Sequence, residues 1–76
     1  MQSKKSSANQ ALGKAMRAAR RERGRPQESF AARSGVDRSY YGAIERGEFN
    51  ISLDMILRIA KGLEISASEL LSRAKL

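Results

Sequence analysis

Apolar residues recur along the chain at helical spacing, and glycines separate one helical segment from the next. Leu12, Met16 and Ala19 stand at i, i+4 and i+7, which forms one stripe of an amphipathic helix. The stripe predicts a first helix over about residues 9–23. Gly24 follows at the position where a left-handed backbone commonly ends a helix, so we expect the chain to turn there.

Two short helices are predicted next, separated by three residues. Pro26 suits the start of a helix over Gln27–Ser34, and Gly35 ends that helix after barely two turns. Asp37 is a natural N-cap for a third helix over about residues 38–46. The pattern is therefore helix, tight turn, helix.

Two serines mark the starts of the remaining helices. Ser52 precedes a strongly apolar segment that predicts a fourth helix, and Ser66 with Glu69 forms a capping box for a fifth. No segment alternates apolar and polar residues as a half-buried strand does. The sequence therefore predicts an all-α protein, in which residues 1–8 form a flexible basic arm and residues 9–76 form one five-helix domain.

The net charge of +7 is concentrated at one end of the chain. Up to Arg25, eight basic residues stand against Glu22 alone, whereas seven basic residues meet seven acids after it. A basic segment beside a neutral body favours a polyanionic partner, because neutralised phosphates release counterions. A solvated basic helix face is the alternative.

Cysteine and histidine are both absent from the 76 residues. Their absence excludes disulfides and thiolate or imidazole metal sites, and it removes the commonest general base. The acids lack a paired catalytic spacing, and no glycine-rich phosphate loop is present. No apolar run approaches the roughly 20 residues of a membrane span, and no signal peptide precedes the domain. We therefore expect a cytoplasmic protein that is not an enzyme and has no cofactor, metal, small-molecule ligand or membrane association.

Six residues in the second and third helices stand at an informative spacing. Ala31 lies where two helices would cross closely and a small residue is needed, and Gly35 supplies the positive φ of the turn. Four apolar residues tie both helices to the core: Phe30, Val36, Tyr41 and Ile44. The opposite face of the third helix is then free to enter a major groove. These residues indicate a helix-turn-helix, which is a DNA-binding unit.

Longer stretches of the chain extend this motif: QESFA at 27–31, GVDRSYY at 35–41, IERG at 44–47 and SLDMILRIA at 52–60. Together they resemble the Cro and phage-repressor-like (Xre-type) helix-turn-helix regulators. The ending KGLEIS at 61–66, after NISL at 50–53, is similar to controller proteins of restriction–modification systems. The resemblance implies a lambda-repressor-like fold and sequence-specific binding of duplex DNA by a transcriptional regulator.

The resemblance also implies roles for single residues. It places base contacts on Arg38, Ser39 and Ala43, and a guanidinium can bond both O6 and N7 of a guanine. Contacts to the DNA backbone are expected from Gln27, Tyr40, Arg46, Asn50, Arg20 and Arg17. Packing is the alternative for Tyr40, compensation of the helix dipole for Arg46 and capping for Asn50. The resemblance further implies an ion pair between Arg20 and Glu45, which would explain an acid beside DNA.

Apolar residues near the C-terminus exceed what one small core is expected to hold. They predict a homodimer interface formed by Ile51, Met55, Ile65, Leu70, Leu71 and Leu76, with ordinary closure of the bundle as the alternative. A homodimer would bind a pseudo-palindromic operator. An antitoxin, or another protein-interaction module on the same fold, is the rival function.

Overall fold

The computed structural model describes residues 6–76, and in this range it contains five α-helices and no strand. The helices are α1 (Ser7–Glu22), α2 (Gln27–Ser34), α3 (Arg38–Glu45), α4 (Leu53–Leu63) and α5 (Ala67–Arg73). Their number, type and order confirm the prediction of an all-α fold. The arm predicted for residues 1–8 lies outside the described residues as far as residue 5.

The first helix begins two residues earlier than the apolar stripe predicts. The Ser6 hydroxyl oxygen accepts a hydrogen bond from the Asn9 N–H at 3.1 Å and so caps the helix. A serine cap satisfies an N–H group of the first turn, which would otherwise have no partner. The cap therefore makes Ser7 helical although neither Ser7 nor Ala8 carries an apolar contact of the core.

Side-chain caps also fix the starts of α3, α4 and α5. Asp37, Ser52 and Ser66 each accept a hydrogen bond from the N–H three residues later, at 3.0–3.1 Å. Of the capping box predicted at Ser66, the hydrogen bond from the Glu69 N–H to the Ser66 hydroxyl is formed. The Glu69 carboxylate pairs with Arg73 at 3.0 Å. Cap chemistry therefore explains why the sequence located these three starts correctly.

The core lies between all five helices, and α2 and α3 enter it through one aromatic contact. The rings of Phe30 and Tyr41 are both fully buried, with centroids 5.1 Å apart. The small Ala31 and the αL residue Gly35, with φ of 70°, shape the turn as predicted. Burial of a large apolar side chain contributes about 1.5–3 kcal/mol, so this contact holds the helix-turn-helix firmly in place.

The packing of α1 on α3 depends on a glycine that sequence reasoning did not single out. A Cβ atom at Gly13 would overlap the backbone carbonyl oxygens of Ile44 and Glu45. The two helices therefore approach each other through their backbones at this point, which only glycine allows.

The C-terminal helix closes the bundle, and this corrects one prediction. Leu70 is 0% exposed and belongs to the core together with Ala74. Leu70 therefore cannot lie in a dimer interface. The exposed large apolar side chains of the described residues are instead Leu53, Leu57 and Leu76. None of the described helices is long and apolar enough to cross a membrane.

Candidate nucleic-acid interface

The outer face of α3 carries four residues that share one helix face. Arg38, Gly42 and Arg46 follow each other at intervals of four, and Ser39 lies beside them. Together with Gln27 from the start of α2, they line one shallow depression of about 250 Å³. Arg38 and Ser39 are both exposed, and within residues 6–76 Arg38 has no acidic partner. The structure thus brings three of the predicted DNA-contacting residues of α3 together with Gln27.

Ala43 does not belong to this exposed face. Its side chain is buried, with 6% relative exposure, so its methyl group offers almost no surface to a base. Gly42, one position earlier, lines the depression, although it is itself buried with polar atoms of Gln27 and Arg46 above it. This corrects the expectation that Ala43 contacts DNA. The predicted outer face was displaced by one residue, which corresponds to a rotation of about 100° around the helix axis.

A buried carboxylate holds several residues of the interface from behind. The Glu45 side chain is fully buried and accepts hydrogen bonds from Arg20 Nε at 2.7 Å and Arg20 Nη2 at 3.1 Å. It also accepts from Gln27 Nε2 at 3.0 Å and from Arg17 Nε at 3.4 Å. The predicted Arg20–Glu45 pair is confirmed, and the same carboxylate connects α1, α2 and α3.

The Arg20 side chain makes its hydrogen bonds within this network. It is 7% exposed, and its Nη1 atom donates to the Arg25 carbonyl oxygen at 2.8 Å. The hydrogen bonds of Arg20 thus go to groups of the protein itself, and its contact with a phosphate stays a prediction. Arg17 keeps 41% of its side chain exposed at the edge of the network.

Burial and hydrogen bonding act against each other on the Glu45 carboxyl. Burial alone would raise its pKa, but the hydrogen bonds from Arg20 and Gln27, with the charge of Arg20, lower the pKa below its ordinary value. The neighbouring Tyr41 hydroxyl is buried without a hydrogen bond of ordinary geometry. Burial and the nearby Glu45 charge raise the pKa of Tyr41, so this phenol stays neutral beside a charged carboxylate.

Arg46 forms a second, exposed ion pair at the end of α3. Its Nε atom lies 2.7 Å from Glu48 Oε2, and its Nη2 atom lies 3.3 Å from Glu48 Oε1. The side chains are 53% and 31% exposed. Arg46 Nη1 has no partner among residues 6–76 and points over Gly42.

Two further predicted contact residues have structural partners. The half-buried ring of Tyr40 packs on Phe49, with ring centroids 5.4 Å apart, so packing is part of its role. Asn50 accepts a hydrogen bond from Asn9 Nδ2 at 2.7 Å, which ties the loop after α3 to α1. Ser52, rather than Asn50, caps α4.

The polar surface continues from α3 onto α1. A second depression, of about 420 Å³, is lined by Gln10, Lys14, Arg17, Glu45 and Arg46. Arg46 therefore borders both depressions, and the basic residues of α1 adjoin the outer face of α3. Of these lining residues, the sequence predicted DNA-backbone contacts for Arg17 and Arg46, and no sequence signal placed Gln10 with them. Residues 6–76 contain no cluster of side chains suited to hold a metal ion.

Comparison with known proteins agrees with this geometry. A helix-turn-helix family profile (HTH_3) matches residues 16–70, which include α2, α3 and α4. This chain belongs to the helix-turn-helix family. The match confirms the family predicted from the sequence.

Two curated relatives are named as control proteins. The control protein C.MunI from Mycoplasma sp. is 52% identical over 46 residues, which cover 60% of this chain and 62% of that protein. C.SmaI from Serratia marcescens is 43% identical over 47 residues, covering 62% and 56%. The chain therefore spans less than two thirds of these curated relatives.

A solved structure gives a more complete match. The restriction-modification controller protein C.AhdI from Aeromonas hydrophila is 44% identical, with a TM-score of 0.77, covering 80% of this chain and 92% of that one. The similarity to controller proteins that the sequence indicated is thus found in both comparisons.

Proposed function

We propose that this helix-turn-helix regulator acts as a restriction–modification controller that inserts α3 into the major groove of its operator. The observation that carries the proposal is one polar face of α3 on which Arg38, Ser39 and Arg46 are exposed around the buried Gly42, with Gln27 beside it. The interior of the domain supports this face through Glu45. A short helix whose polar face is exposed and whose base is fixed is what major-groove binding requires.

Arg38 carries the base recognition in this proposal. It lies on the first turn of α3, is exposed, and forms no ion pair within the described residues. A guanidinium in this position can donate to both O6 and N7 of one guanine. Ser39, exposed next to it, supplies a shorter hydroxyl contact.

The DNA backbone is held on either side of α3. Pro26 provides no side-chain cap for α2, so the first N–H groups of that helix are open to a phosphate oxygen, which the helix dipole also favours. The basic face of α1 with Lys14 and Arg17 forms the other contact. Asn50, in the loop between α3 and α4, is tied to α1 by its hydrogen bond with Asn9. These contacts position the protein but carry no sequence information.

A homodimer completes the proposal. Leu53 and Leu57 are 66% and 49% exposed and lie one turn apart on α4. Ile51 and Met55 are half-buried in the same region of the chain, as are Ile65 and Leu71 near α5, where Leu76 is 58% exposed. A two-fold interface would cover such apolar surface, and the operator half-sites would then lie about 10 bp apart.

Sedimentation equilibrium tests the dimer, which should have twice the 8.4 kDa mass of the chain. Leu57→Glu should shift the protein to monomers, whereas Ala18→Glu, which adds the same charge at an exposed position of α1, should not. A monomeric wild-type protein at all concentrations, with and without DNA, would remove the dimer from the proposal.

Matched alanine variants test base recognition against backbone contact. Arg38→Ala should weaken binding to the specific operator by about 1–3 kcal/mol and reduce discrimination at one base pair. Lys14→Ala removes an exposed cation from α1 and should weaken operator and scrambled duplex alike, with a smaller salt slope. Equal losses on both duplexes for Arg38→Ala would show that Arg38 contacts only phosphate.

The same proposal assigns the protein to the cytoplasm, where operator DNA is accessible, and includes no catalytic step. Its support here is membership of a family of transcriptional regulators.

A further inference from the structure

Gly42 is the one residue of the outer α3 face without a side chain, and two polar atoms lie directly above it. A Cβ atom at this position would lie 3.2 Å from Gln27 Oε1 and 3.3 Å from Arg46 Nη1. Glycine inside a helix is less favourable than alanine. The two polar atoms give a reason for that cost, because they occupy the space that a side chain would take.

The orientation of the Gln27 amide follows from its partner. Glu45 is a charged carboxylate that can only accept hydrogen bonds, so the nitrogen of the amide faces it, at 3.0 Å. The amide oxygen must therefore face the small gap over Gly42 between the side chains of Gln27 and Arg46, which forms a notch. This oxygen has no hydrogen-bond partner within residues 6–76, and an oxygen acceptor repels a phosphate.

The Arg46 side chain is fixed in a complementary way. Its Nε and Nη2 atoms are directed at Glu48, which leaves Nη1 as the nitrogen over Gly42. The notch thus presents an acceptor from Gln27 and a donor from Arg46, both within 3.3 Å of one point. Arg38 and Ser39 line the same depression.

We propose that this notch binds the major-groove edge of an adenine, and that Gly42 is the positioning residue that keeps the notch open. Adenine presents its N6 amino donor beside its N7 acceptor. The N6 amino group would donate to Gln27 Oε1, and N7 would accept from Arg46 Nη1. The inference rests on the proposed function, since it names the second base that α3 would recognise beside the guanine expected for Arg38.

The test uses an operator selected by the wild-type chain from a random duplex pool. Each adenine is replaced in turn by unsubstituted purine, which lacks the N6 amino group, and each nearby phosphate by a neutral methylphosphonate. At one adenine we expect the purine to weaken wild-type binding about tenfold, within the range of a good base contact. This arm needs no protein variant and so does not depend on whether a variant folds.

Gly42→Ala provides the second arm, with Ser72→Ala, at an exposed position of α5, as a matched helix-favouring control. Gly42→Ala should melt no lower than the wild type, because alanine favours the helix, yet bind the operator about tenfold more weakly. On the duplex with the critical adenine replaced, Gly42→Ala and wild type should bind alike. Ser72→Ala should bind both duplexes as the wild type does.

Three results would overturn the adenine site. They are wild-type binding that is indifferent to every purine replacement, a Gly42→Ala loss that is equal on all duplexes, or a loss that depends on one phosphate instead. Failure of the wild type to select any operator from the pool would contradict the proposed function itself, so the two failures are distinguishable.

Discussion

Two arginine–glutamate pairs lie close together at the C-terminal end of α3, and their geometry is nearly the same. In both, arginine Nε lies 2.7 Å from glutamate Oε2, for Arg20–Glu45 and for Arg46–Glu48. Their surroundings differ, because the first pair has side chains 9% and 0% exposed and the second 53% and 31%. The contact distance alone therefore says little about what either pair does for the protein.

The difference in burial changes the consequence of losing one partner. Loss of a buried partner leaves an uncompensated charge in the interior, whereas an exposed charge is simply solvated by water. Glu45 also holds Gln27 and Arg17 in the interior, whereas the pair of Glu48 with Arg46 lies nearer the surface. We therefore expect the buried pair to determine the stability of the domain and the exposed pair to affect only the DNA-facing surface.

The largest effect is expected for Glu45→Ala. The variant leaves the Arg20 guanidinium buried without its carboxylate, so the free energy of unfolding should fall by about 3–5 kcal/mol. Urea unfolding followed by circular dichroism measures this change. Wild-type stability in the variant would show that buried Arg20 does not need Glu45 as its partner. The expected difference between the stability effects of the two pairs would then be contradicted.

The next effect is a dependence of stability on acid pH. The pKa of Glu45 in the folded protein lies below its ordinary value of 4.5, so ionised Glu45 stabilises the native state above that value. This contribution should decline as the pH falls below about 4.5 and vanish once the pH is below the folded pKa. Urea midpoints of the wild type and Glu45→Gln, measured from pH 7 down to pH 2, isolate this carboxyl from the others. If the urea midpoints of the wild type and Glu45→Gln changed with pH in the same way, the lowered pKa of Glu45 would be contradicted.

The smallest effect is expected for Glu48→Ala. Removal of this exposed carboxylate should leave the urea midpoint unchanged within error, because water replaces it as the partner of Arg46. The affinity for duplex DNA should rise slightly, since one negative charge leaves the interface and the salt dependence steepens. A clear loss of stability would show that the exposed pair is structural after all.

Local signals made the fold predictable from the sequence. The helix starts at Asp37, Ser52 and Ser66 depend on a side chain and an N–H three residues apart, which can be read directly from the chain. The Arg20–Glu45 pair came from the family resemblance, since 25 residues separate the partners.

Features that depend on how helices are rotated and packed were not predictable. Ala43 was placed on the outer face and Leu70 in an interface, yet both are buried. The close approach at Gly13 and the hydrogen bond between Asn9 and Asn50 join α1 to residues more than 30 positions away. Such contacts arise only when the crossing angles of the helices are set, and no local pattern specifies them.

The backbone contact at Gly13 has a mechanical consequence for DNA recognition. Side chains between two helices can change rotamer and allow one helix to slide over the other. The carbonyl oxygens of Ile44 and Glu45 pack directly against the Gly13 backbone, which does not allow such a movement. Helix α1 therefore holds α3 in a fixed orientation, so the angle at which α3 would enter a groove is already set in the free protein. Little conformational entropy then remains to be lost on binding, and a displacement of α1 would be transmitted directly to the bases under α3.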